Sequence, residues 1–275
     1  MTTSPLALLK SGKRVTSRRA LAAMPLIERA NAQLLGLDEW QSRLRRYVAT
    51  HDAPASDEVA FERLCLTVFA QGLRARALER HEEALRSAFH GFVPATVARM
   101  DGAEMTDPLL QPIIRNRAKV EACVGNARRW ISLCANGGTY LARVASVAVE
   151  DDALEGWPRL RAMLQHDFRR VGEQTARIVL KRWGFFTALP HPGCARLLER
   201  LQALGNGGVQ AAVASLAQRN GRDAYAMEAA LALFAGLGPC KPEPQCHACI
   251  LSAMCPSAPR PLAAAAADRP DTQTM

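Results

Sequence analysis

The sequence predicts an all-α protein, and three observations carry that expectation. Apolar residues recur at three- and four-residue intervals, as in residues 57–71, DEVAFERLCLTVFAQ, where Val59, Phe61, Leu64, Cys65, Val68 and Phe69 fall on helical faces. No segment sustains the period-two alternation of a half-buried strand. The chain has 275 residues, enough to bury one large core or two closely packed ones, and no apolar run long enough to span a membrane. A soluble, cytoplasmic monomer is expected.

Taken in order, residues 1–20 carry Lys10, Lys13, Arg14, Arg18 and Arg19 with little apolar pattern and read as a basic flexible arm. Helices are expected at roughly 26–34, 38–49, 57–71, 75–89, 116–134, 158–166, 173–183, 193–203, 207–219 and 223–236. After Cys255 the run APRPLAAAAADRPDTQTM reads as an unstructured tail over 257–275. No repeat of solenoid period is present.

Lys and Arg number 35 against 26 Asp and Glu, a formal charge of +9 that suits a polyanionic partner. Aromatic residues are only 5%, which argues against a broad stacking platform for single strands. Half of the eight cysteines lie in one stretch, CKPEPQCHACILSAMC, as Cys240, Cys246, Cys249 and Cys255. Four thiolates match the ligand count of a closed tetrathiolate site, either Zn2+ or an iron–sulfur cluster. Zinc ribbons pair two C-x2-C knuckles, whereas one central pair flanked by single cysteines favours a 4Fe-4S cubane, with zinc as the alternative. The N-terminus shows no continuous apolar h-region, so a disulfide framework is the weaker reading.

Residues 164–184, LQHDFRRVGEQTARIVLKRWG, read as a helix, a tight turn at Val171-Gly172 and a second helix opening at Glu173. Such a hairpin can aim backbone N–H groups at a DNA phosphate, with Arg169, Arg170, Gly172 and Gln174 at the contact. An ordinary αα-hairpin is the plainer reading. Followed by the cysteine stretch, it resembles the helix-hairpin-helix DNA glycosylase superfamily, the endonuclease III group in particular, over roughly residues 57–256. The first cysteine gap is one residue shorter here than in that group. Upstream, FERLCLTVFAQGL, RSAFHGFVPATVARM and IIRNRAKVEACVGNAR resemble the 3-methyladenine DNA glycosylase I family in the same order.

These resemblances imply a two-lobed helix-hairpin-helix glycosylase fold. Residues 61–189 would form a six-helix-type domain, and 21–60 with 190–256 a second domain ending in the four-cysteine loop. They also imply roles. Gln71 matches the glutamine that fills the gap left by an extruded base. Gln174 stands where bifunctional members carry a Schiff-base lysine, which implies a monofunctional enzyme without lyase activity. His191 in LPHPGCAR occupies the catalytic aspartate's position, where it could orient water or carry a proton, or merely cap a helix before Pro192. Thr67 stands at the lesion-contacting glutamate of the alkyl-base family. Phe69, Trp130, Trp183, Phe185 and Phe186 are candidate stacking residues, Asp151, Asp152 and Asp167 are candidate substitute carboxylates, and Lys241 would offer charge to the phosphate backbone.

The expected function is a monofunctional glycosylase of base excision repair, with duplex DNA carrying alkylated bases as its partner. A glycosylase for bulkier or neutral modified bases and a non-catalytic iron–sulfur lesion binder are the alternatives.

Overall fold

The computed structural model describes residues 18–73, 78, 80–106, 116–189 and 191–259. Among these residues the chain is helical throughout, with no strand. No helix among them is long and apolar enough to cross a membrane.

Helices α1 (Arg18–Leu35) and α2 (Leu37–Ala49) open the chain, joined at Gly36, whose φ of 82° makes the sharp break. Helix α3 (Asp57–Ala70) follows, then α4 (Glu82–Ala88), α5 (Pro94–Val97), α6 (Arg117–Leu133) and α7 (Tyr140–Ala148). The hairpin pair is α8 (Pro158–Asp167) and α9 (Glu173–Arg182). Helices α10 (Pro192–Arg200), α11 (Gly208–Asn220) and α12 (Ala224–Leu237) lead into the cysteine loop.

Two hydrophobic cores organise these elements. The first is formed by residues between Ala60 and Trp183, with Phe61, Phe69, Phe89, Trp130, Tyr140 and Trp183 nearly inaccessible to solvent. Trp130 lies at its centre, with ring centroids 4.5 Å from Tyr140, 5.4 Å from Phe61 and 5.6 Å from Phe168. Each such fully buried side chain contributes about 1.5–3 kcal/mol by leaving water. The second core joins residues 20–40 to residues 186–251 and includes Ile27, Trp40, Leu198, Leu216 and Phe234. The chain therefore leaves the second lobe after α2, builds the first lobe and returns.

Helix α3 is the spine of the first lobe. Ser56 caps it by accepting from the Val59 amide at 3.4 Å, and Asp57 and Glu58 place negative charge at its positive end. The Asp57 carboxylate also accepts from Trp130 Nε1 at 3.0 Å and from the Tyr140 and Leu141 amides at 2.8 and 3.2 Å, which ties α3 to α6 and α7.

Several boundaries differ from the sequence expectation. Helix α1 starts at Arg18, inside the expected basic arm, because Ala20, Ala23, Met24 and Ile27 form a buried stripe at helical spacing. Pro25 within this helix is the breaker that hides its first turns from a periodicity reading. Residues 1–17 and 260–275 lie outside the described residues, as do four of the residues expected to open a helix at 75. Helices α5 and α7 were not expected. The first is a single turn opened by Pro94, and the second follows Gly137-Gly138 and is capped by Thr139, which accepts from the Ala142 amide at 3.1 Å.

Candidate functional site

The hairpin turn is fastened from two sides. Asn126 on α6, wholly buried, accepts from the Arg169 amide at 2.7 Å through Oδ1 and donates to the Arg169 carbonyl at 3.2 Å through Nδ2. Beside it, Gly125 leaves room for the Arg169 side chain, whose Nη1 would stand 3.2 Å from a Cβ at that position. Arg170 adopts φ 58°, the left-handed region that a non-glycine residue enters at a cost of about 1–2 kcal/mol. Gly172 is the N-cap of α9 and supplies no side-chain acceptor, so the helix's first-turn amides are not satisfied by a cap. Arg169, Arg170, Gly172 and Gln174 are all exposed on this edge. It is an anion-facing arrangement: orphan amides, the positive end of a helix dipole and two guanidinium groups.

Gln71 belongs to the same edge. It is the C-cap of α3, and its Nε2 donates to the Arg170 carbonyl at 2.7 Å and to Thr175 Oγ1 at 3.0 Å. The carbonyl ends of α3 are held by Lys119, whose buried Nζ donates to the Phe69 carbonyl at 2.9 Å and to the Gln71 carbonyl. A cation at a helix C-terminus is favourable, and burial pushes the Lys119 ammonium below its usual pKa. Lys119 and Asn126 were not singled out from the sequence, although both lie in the quoted string IIRNRAKVEACVGNAR.

Thr67 and His191 are not brought together by any hydrogen bond among the described residues. Thr67 is buried in α3 and its hydroxyl donates to the Arg63 carbonyl at 2.7 Å. His191 is exposed and caps α10, its Nδ1 accepting from the Cys194 amide at 3.1 Å. The capping role weighed from Pro192 is thus present, and it places the proton of a neutral ring on Nε2. The candidate substitute carboxylates have local duties: Asp151 accepts from the Leu160 amide at 2.7 Å, Asp152 from the Leu154 amide at 2.8 Å, and buried Asp167 from the Tyr140 hydroxyl at 2.8 Å. Of the candidate stacking residues, Phe69, Trp130 and Trp183 pack the first core and Phe186 the second, while half-buried Phe185 packs edge-on to Trp157.

A buried polar knot missed by sequence reasoning lies where the lobes meet. Lys181 of α9 forms an ion pair with Glu228 of α12, and Glu228 also accepts from the Tyr47 hydroxyl and the Leu189 amide, each at 2.9 Å. The Lys181 ammonium lies 5.3 Å from the Tyr47 ring centre and 5.8 Å from those of Phe186 and Tyr225. Burial lowers the Lys181 pKa against the opposing pull of Glu228. Nearby, burial pushes the Cys194 thiol up to about 12 and the His51 imidazole, stacked on Tyr225, down to about 4.

At the far end of α12, Cys240, Cys246, Cys249 and Cys255 line one cavity of about 30 Å³, together with Arg200 and Pro239. Among the described residues, no three His, Cys, Asp or Glu side chains gather so as to hold a single metal ion. All four thiols of the cysteine stretch share one cavity wall, and four thiolates are a donor set that suits either a zinc ion or an iron–sulfur cluster. Lys241 lies exposed on this loop.

Among the described residues the frame is all-α, with two hydrophobic cores and a glycine-turn αα-hairpin at one edge. The chain belongs to the methyladenine glycosylase family, whose profile matches residues 40–186, from early in α2 through the hairpin. It is 35% identical over 109 residues to DNA-3-methyladenine glycosylase 1 of Escherichia coli (strain K12), an alignment covering 37% of this chain and 58% of that protein. The DNA-3-methyladenine glycosylase of Haemophilus influenzae is 29% identical over 131 residues, covering 45% of this chain and 70% of that one. Among solved structures, 3-methyladenine DNA glycosylase I from Staphylococcus aureus aligns at 22% identity and a TM-score of 0.43, over 50% of this chain and 81% of its own. The family match ends at Phe186 and leaves the cysteine loop outside it.

Proposed function

We propose that the protein is a monofunctional DNA glycosylase of base excision repair that extrudes an alkylated base from duplex DNA and hydrolyses its N-glycosidic bond. One observation carries this reading: within the family-matched segment, Gln71 is fastened to the hairpin turn that would grip the phosphate backbone. A backbone anchored at the α9 N-terminus would bring the duplex against that glutamine, whose Oε1 can accept from the base left behind while Nε2 stays on the turn. The relatives' name as 3-methyladenine glycosylases supports a cationic N-alkylpurine, which departs as a neutral base and asks little of a catalytic carboxylate. Gln174 offers no amine for a Schiff base. His191, with its proton on Nε2, acts as a hydrogen-bond donor to water or to the departing base rather than as a base.

The test is base release from duplexes bearing N3- and N7-alkylpurines, with borohydride trapping alongside. Release without trapping is expected, reduced roughly tenfold or more in Gln71→Ala, equivalent to about 1.4 kcal/mol of lost transition-state stabilisation. The committed hydroxyl of Thr67, standing where the family's glutamate would contact the lesion, favours a second reading as a lesion binder without catalysis. Selective binding with no release from alkylated, bulky or neutral modified bases would establish that reading.

We also propose that Cys240, Cys246, Cys249 and Cys255 ligate a 4Fe-4S cluster, in an endonuclease III-like tail joined to an alkyl-base-glycosylase-like front. The cavity that the four cysteines share and the spacing of the four in the sequence support the assignment. Bound there, the group would supply a covalent closure of a loop rich in proline and poor in buried side chains, with Lys241 turned to use against DNA phosphates. Iron and acid-labile sulfide in the isolated protein are expected. Stoichiometric zinc without iron overturns the assignment.

A further inference from the structure

We propose that Arg200 is a positioning residue for the cysteine centre, holding both ends of the loop and placing a positive charge on the sulfur of Cys240. The inference rests on the cluster reading above. Arg200 is the last residue of α10, anchored in the second core by Leu197 and Leu198. Its guanidinium spreads over the start of the loop: Nη1 lies 3.4 Å from Cys240 Sγ and donates to the Lys241 carbonyl at 2.7 Å, while Nη2 donates to the Pro242 carbonyl at 3.0 Å. Its own carbonyl holds the end of the loop, accepting from Ser257 Oγ at 3.2 Å and lying 3.7 Å from Cys255 Sγ. One residue thus touches the first and the last cysteine of the set.

Two neighbouring contacts separate its actions. Arg196, one helical turn earlier, donates only to the Cys240 carbonyl, at 3.3 and 3.2 Å, and so anchors backbone. Ser257 anchors the opposite end and carries no charge. Arg200 is the residue of the three that also reaches a sulfur. A guanidinium beside a thiolate ligand stabilises the more electron-rich state of whatever the thiolate binds, through a charge-assisted hydrogen bond. With Arg200 in place, the centre therefore holds its iron more firmly and has a higher reduction potential than without it.

The experiment compares the full-length wild type, Arg200→Gln and Ser257→Ala. Each is assayed for iron per chain, for the rate of iron loss to a chelator and for the one-electron potential at an electrode. Arg200→Gln is expected to lose iron at least threefold faster. Its potential is expected to fall by at least a tenfold shift in the one-electron equilibrium, about 59 mV. Ser257→Ala is expected to keep the wild-type potential. Equal retention and potential in wild type and Arg200→Gln would overturn the role of Arg200 while leaving the cluster. An equal fall in potential in Ser257→Ala would assign the effect to loop anchoring and overturn the sulfur contact. Wild type without iron would instead defeat the cluster reading itself. If Arg200→Gln is insoluble, Arg200→Met takes its place, losing charge and fork together, so faster iron loss and a lower potential are expected and unchanged values overturn the proposal.

Discussion

The hairpin turn and the cysteine loop are both largely exposed, yet they are held by opposite means. Around the hairpin, the fastening groups are neutral amides, Asn126 and Gln71, backed by Val171 and Phe168 buried in the first core. The cysteine loop has fewer buried side chains, chiefly Cys240 and Leu251, and its backbone is gripped by the guanidinium groups of Arg196 and Arg200. Burial makes the first rigid whatever is bound nearby. The second relies on charges that water and salt weaken.

The strongest way to break that contrast is at the seam between the lobes. Lys181→Met leaves Glu228 buried with only the Tyr47 hydroxyl and Leu189 amide for partners, and loss of one partner of a buried pair costs about 3–5 kcal/mol. Hairpin and loop should then lose protection together, read by hydrogen exchange over residues 164–184 and 239–258. Persistence of protection in both regions would show that the lobes do not depend on the seam. Asn126→Ala should act on the hairpin alone, because it removes a bond to each polar group of Arg169, at a cost of about 2–3 kcal/mol. Urea midpoints and duplex binding should fall while protease susceptibility of the cysteine loop stays as in wild type.

The smallest expected effect is on pH. Burial is the main cause that holds His51 down at about 4, with the cations of Lys181 and Arg182 adding to it and the Tyr47 carbonyl and Glu228 opposing. An unfolded histidine titrates near 6.5, so the unfolded chain binds this proton more tightly than the folded one. Stability is therefore full above about pH 6.5 and is lost as pH falls towards 4, by about 1–2 kcal/mol after allowance for the ring's partial exposure. This acid-side slope in denaturant titrations should be absent from His51→Phe. An unchanged slope in that variant would remove His51 from the account.

What could be read from the sequence followed from local rules. The hairpin's two helices were legible because Gly172 stands between periodic segments, and α3 because its apolar residues repeat over a full helix. The cysteine set was legible as a group because its members are close in sequence. Helix α7 escaped because two glycines precede a stretch of only nine residues, and α1 began early because a buried alanine stripe is weaker in pattern than leucines. The pair of Lys181 and Glu228 could not be read, since its partners are 47 residues apart and meet only when the lobes do. The aromatic residues proposed for stacking illustrate the same limit: an aromatic side chain in a helical pattern is equally suited to a core, and burial decided four of the five. The local bonds of Thr67 to the Arg63 carbonyl and of His191 to the Cys194 amide join residues within one helix or its cap.

Helix α12 connects the two regions mechanically. Glu228 lies near its first turn, in the seam, and its last residue, Leu237, is followed directly by the loop that begins at Cys240. The nine residue steps from Glu228 to Leu237 make a rod about 13.5 Å long at 1.5 Å per residue. Its flanks are packed against α1, α10 and α11. One packed helix thus carries the seam's buried carboxylate near one end and leads into the cysteine loop at the other.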